Sequence, residues 1–140
     1  MPNCDCCSFE YDASKKVLAV QVTGPATDDS FKACYANAAR YVEGREVHSF
    51  IIDLTRLGQL SVSAKGIRDV SQSAPLLPDP AVRYVIAPQD HIFGMARMFQ
   101  IVSPKGRERL HVVRTLSAAH EALGVTASAF ERLPALPPLS

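Results

Sequence analysis

The chain has 140 residues, 47% of them apolar and 21% charged, and 15 basic against 14 acidic side chains leave a formal charge of +1. This length suits a single domain that buries roughly two thirds of its unfolded surface without a disulfide or a metal, and the composition excludes overall disorder. Near neutrality excludes a general electrostatic attraction to nucleic acid or anionic lipid, and no segment approaches the roughly 20 consecutive apolar residues of a spanning helix.

Residues 1–8 are polar and Cys-rich and read as a flexible leader, with neither the basic start nor the apolar core of a signal peptide. Three of the four cysteines, Cys4, Cys6 and Cys7, crowd this leader, and the fourth is Cys34. Such crowding cannot staple a fold, so a reducing, cytoplasmic setting is expected. Thiolates this close could hold Zn or Cu(I), but a tetrahedral site needs a second ligand pair and none follows at the expected spacing. A reactive leader, with Cys34 as a core residue of its helix, is the simpler reading.

Residues 9–11 and 17–23 are apolar, aromatic or β-branched and flank the polar stretch 12–16, which predicts a hairpin at the edge of a sheet. Gly24-Pro25 then reads as a turn. Thr27 suits a helix cap with Asp28 and Asp29 in the first turn, and Phe31, Cys34, Tyr35, Ala38, Tyr41 and Val42 recur at helical spacing up to Gly44. The short apolar run 49–55 predicts a central strand covered on both faces.

After Leu57-Gly58 a second helix is expected from Ser61 or Ser63, presenting Ile67, Val70 and Ala74 to the core, with Pro75, Pro78 and Pro80 ending it. Residues 82–87 read as a strand, Asp90 as the cap of a third helix over 92–102, residues 110–113 as the last strand, and Thr115 as the cap of a fourth helix reaching Gly124. The expected order is ββαβαβαβα, an α/β domain over 9–125 whose mixed sheet of four to five strands carries helices packed against it. Residues 126–140 read as a C-terminal extension, with a turn near Phe130 and a Pro-rich tail.

Asp53 is the most informative polar residue, because it ends a strand that is otherwise buried. Open α/β sheets place functional groups at strand ends, although a carboxylate that braces the following loop is the simpler reading. Thr55, Ser61 and Ser63 are hydroxyls in the same loop, suited to capping or phosphorylation. His48, His91, His111 and His120 show no metal-binding spacing, but His91 sits beside Asp90 where it could face a ligand. No phosphate-binding glycine loop and no nucleophile elbow occurs. The helix over 92–102 is apolar on nearly every side, so Phe93, Met98 and Ile101 require a neighbouring helix, a loop or another subunit.

The strand Ile51-Ile52-Asp53-Leu54-Thr55, the helix Phe93-Gly94-Met95-Ala96-Arg97-Met98-Phe99 and the segment Val112-Val113-Arg114-Thr115-Leu116 together resemble the STAS-like family, which is related to the anti-sigma-factor antagonists. The likeness spans about residues 9–124 and is nearer to a bacterial STAS-like group than to true antagonists. It implies a non-catalytic protein-interaction or regulatory module, with a protein partner or a second copy and no cofactor. In the antagonists an Asp-Ser-x-Gly loop carries a phosphorylated serine. The comparable stretch here, 60–66, lacks the acidic residue and matches loosely at Ser61 or Ser63, so the implied partner surface comprises Asp53, Thr55, Ser61, Ser63 and Arg68. The rival expectation is a small-molecule-binding protein or modest enzyme with a pocket bounded by Asp53, Asp90, His91 and Arg97.

Overall fold

The computed structural model describes residues 7–61, 63, 65, 82–102 and 110–134. Strand β1 (Cys7–Asp12) and β2 (Val17–Val22) form the expected hairpin, in antiparallel register from Cys7 opposite Val22 to Asp12 opposite Val17. The strand begins at Cys7, two residues before the apolar run at Phe9, so Cys7 belongs to the sheet. Gly24-Pro25 is not a turn but part of β3 (Gly24–Thr27), which pairs in parallel with β5 (Leu57–Ser61) in a separate two-stranded sheet.

Helix α1 (Asp28–Glu43) has Thr27 as its cap and Gly44 as its C-terminal stop, as its sequence signals indicate. Strand β4 (Ser49–Asp53) lies between β2 and β6 (Val82–Ile86), parallel to both, and β7 (Leu110–Val113) continues the parallel set beyond β6. Helix α2 (Asp90–Val102) follows β6 and starts two residues earlier than its apolar pattern, so Asp90 lies inside its first turn instead of capping it. Helix α3 (Leu116–Leu123) is capped by Thr115 and closed by Gly124, whose φ of 68° is the left-handed conformation that glycine adopts without steric cost.

The main sheet has six strands in the order β7-β6-β4-β2-β1-β8, one more than the upper expectation. The added strand is β8 (Glu131–Arg132), reached through a 3-10 turn at Ala127–Ala129 and paired antiparallel with β1. Its short polar sequence carries no strand signal. It displaces the hairpin from the sheet edge.

Alternation along the strands sends side chains to two faces. Phe9, Leu18, Val20 and Phe50 meet Ala38 and Tyr41 of α1 on one face, while Val17, Ile51 and Ile86 meet Ala119 of α3 and Val125 on the other. Helix α2 lies on the α1 side, since Ile92 and Phe93 pack with Val22, Leu54 and Val112. Burial of Leu18, Ile51 and Ile86, each 0% exposed, contributes about 1.5–3 kcal/mol per side chain. Among the described residues no helix is long and apolar enough to cross a membrane. The expected helix with Ile67, Arg68, Val70 and Ala74, and Cys4 and Cys6 of the leader, lie outside the described residues.

Candidate functional site

Asp53 ends β4 with its side chain on the α3 face, and it is 6% exposed. One carboxylate oxygen accepts the backbone N–H of Thr55 at 2.9 Å, and the other accepts from Nε2 of Gln21 at 3.4 Å. The first bond holds the chain as it leaves β4, where the Leu57 N–H donates to the Leu54 carbonyl at 3.2 Å. Asp53 therefore braces the strand exit. Its remaining acceptor capacity faces a cleft.

That cleft has a volume of about 100 Å³ and is lined chiefly by Glu10, Gln21, Asp53, Leu116, His120 and Phe130. At roughly 30 Å³ per water it holds a few water-sized molecules, well below the roughly 300 Å³ at which ligand pockets begin. The His120 ring stacks on Phe130 at 5.7 Å, fixing the imidazole against the cleft wall. Two carboxylates, an amide and an imidazole thus share one small concavity. Glu10 and His120 carry no site signal in the sequence, because Glu10 is one polar position of an alternating strand and His120 lies one turn after Leu116 on α3.

The pocket expected among Asp53, Asp90, His91 and Arg97 is not assembled. Asp53 looks toward α3, whereas the other three sit on α2 across the sheet and none lines the cleft. Asp90 instead accepts from Nη1 of Arg114 at 2.8 Å, and the same nitrogen donates to the Pro88 carbonyl at 3.2 Å. The Arg114 guanidinium also lies 4.0 Å over the Phe93 ring, a cation–π contact that covers part of this side chain. His91 and Arg97 are exposed. Of the expected contact surface, Phe93 and Met98 are half-buried, and Ile101 is 74% exposed.

Ser61 is the last residue of β5, opposite Thr27 in the ladder with β3, and not a helix start. Ser63 follows on the surface. Its backbone N–H donates to Oδ1 of Asp28 and its hydroxyl to Oδ2, both at 2.8 Å. One carboxylate in the first turn of α1 thereby clasps the segment after β5. The sequence places Asp28 at a helix start, but gives no sign that its partner lies 35 residues away. Thr55 is exposed with its N–H on Asp53, and Arg68 lies outside the described residues.

Among the described residues no group of three His, Cys, Asp or Glu side chains is placed to hold a metal ion. Comparison of the chain with family models finds no match, and comparison with curated proteins finds none either.

Proposed function

We propose that the chain is a non-catalytic, STAS-like protein-interaction or regulatory module of the cytoplasm, with the surface around Thr55, Ser61, Ser63 and Arg68 as its partner face. The observation that supports this most is the clasp between exposed Ser63 and Asp28, which ties the segment after β5 to α1 through two hydrogen bonds to one carboxylate. Phosphorylation of Ser63 would replace the donating hydroxyl with roughly two negative charges beside that carboxylate. The attraction becomes repulsion at hydrogen-bond distance. The segment would then leave α1, and the partner face would change shape.

Phosphoserine installed at position 63 is expected to speed amide exchange in β3, β5 and the first turn of α1, with β4 and β6 unchanged. Affinity capture with wild type and with Ser61→Ala plus Ser63→Ala should recover a specific partner whose retention differs between the two. If neither form retains any specific partner, the interaction reading fails.

A second reading is supported by the cleft at Asp53, Glu10 and His120: a small-molecule-binding protein or modest enzyme with an acid and a base in one concavity. Its small volume restricts the ligand to a few heavy atoms. A carboxylate or ammonium probe that shifts the NMR signals of His120 and Gln21 together would favour it over the module.

A further inference from the structure

We propose that Cys7 and Cys34 form a redox-responsive thiol pair that closes to a disulfide between β1 and α1 when the protein meets a small disulfide such as oxidised glutathione. Cys7 packs on the cluster that holds Ala38 and Tyr41 of α1, and Cys34 lies one turn before Ala38 on the same side of that helix, which brings the two thiols within reach of each other, with Asn37 also beside Cys7. Both are half-buried thiols. The contact follows from how strand and helix lie together. Cys7, Phe9 and Tyr11 point to one side of β1, and Cys34, Ala38 and Tyr41 follow one side of α1.

The neighbouring contacts follow in the same order along both elements. The Phe9 and Tyr41 rings are 4.4 Å apart, the Arg45 guanidinium lies 5.5 Å over Tyr11, and the Tyr11 hydroxyl donates to the Glu46 carbonyl. Strand and helix thus run in the same direction, and the thiols lie at the start of β1 and in the second turn of α1.

The environment divides the labour between the sulfurs. The hydrogen bond from Cys34 holds the Cys7 thiol below its ordinary range against the opposing effect of burial, and Asn37 adds to the lowering. Cys34 is driven upward by its bond to Cys7, by burial and by the charge on Cys7. Cys7 is therefore the attacking thiolate and Cys34 the resolving thiol.

In the first step the Cys7 thiolate attacks one sulfur of oxidised glutathione, forming a mixed disulfide as the oxidant's S–S bond breaks and one glutathione thiolate leaves. In the second, Cys34 gives its proton to solvent and its thiolate attacks the Cys7 sulfur, expelling the second glutathione. Two protein thiols are oxidised, one glutathione disulfide is reduced, and both leaving thiolates take up protons. Excess reduced glutathione reverses the sequence.

The full chain should be incubated with oxidised glutathione, quenched with acid, digested without reductant and analysed by mass spectrometry. A peptide pair joined through Cys7 and Cys34 is expected, with a thermal midpoint raised by roughly 5–10 °C over the reduced protein. Cys34→Ser should stop at the glutathione adduct on Cys7. A Cys4→Ser plus Cys6→Ser variant, which retains only the proposed pair, should still close. Cys7 joined to Cys4 or Cys6 in the wild type, or a persistent glutathione adduct in the doubly substituted variant, would overturn the proposal.

Discussion

Asp12 shows how one buried side chain sets a turn. It is 2% exposed at the end of β1, and its Oδ1 accepts from the Ser14 N–H at 2.9 Å, the Ser14 hydroxyl at 2.7 Å and the Lys15 N–H at 3.2 Å. The Ser14 hydroxyl, followed by the backbone donors and the Lys15 charge, holds the carboxyl below its ordinary value against the effect of burial. A depressed folded-state pKa contributes stability that is complete above the unfolded value near 3.9 and is lost as pH falls through the folded value. Asp12→Asn should therefore lower the urea midpoint at pH 7, with the deficit against wild type shrinking below about pH 4. A deficit of the same size at pH 3 would show that the charge plays no part. The position of this turn is legible in Asp-Ala-Ser-Lys-Lys, but the left-handed backbone of Lys16, φ 59°, is not. The Lys16 carbonyl accepts the His48 and Ser49 N–H groups, so its geometry answers to a strand more than 30 residues away.

Helix ends are written locally, and this explains why the caps of α1 and α3 are readable, whereas α2 starts two residues before its apolar pattern. Thr27 accepts from the Ser30 N–H at 3.2 Å while the Ser30 hydroxyl accepts from the Thr27 N–H at 2.7 Å, a reciprocal capping box. Thr27→Ala should cost about 1 kcal/mol in chemical denaturation and Thr27→Ser should restore most of it. Thr115 caps α3 from one side only, accepting from the Ala118 N–H at 3.1 Å. Strands β3, β5 and β8 are opaque by comparison. Gly24-Pro25 and Leu57-Gly58 have turn chemistry, and only the parallel pairing of the two distant segments makes them strands. The cleft is hidden for the same reason, since β1, β2, β4 and α3 each contribute to it and no short motif connects Glu10, Asp53 and His120. Asp53 itself is legible, because a carboxylate closing a buried apolar strand must find donors, which Thr55 and Gln21 supply.

The central parallel strands follow from sequence because both of their faces are apolar, whereas the closing of the sheet depends on the segment after α3. Strand β8 pairs with β1, the Leu133 N–H donates to the Phe9 carbonyl at 2.9 Å, and the Tyr41 hydroxyl donates to the Pro134 carbonyl. Deleting residues 131–140 should lower stability by about 2–4 kcal/mol through these lost bonds and leave β1 as an open edge prone to pairing between molecules. Light scattering and urea unfolding would check both effects. Because β8 runs antiparallel to β1, Cys7 and Pro134 leave the sheet side by side. A few linking residues would bridge these points, and the backbone could be reopened between exposed Thr55 and Arg56. Such a circular permutant would preserve every ladder of the sheet while making β5 the first strand of the new chain.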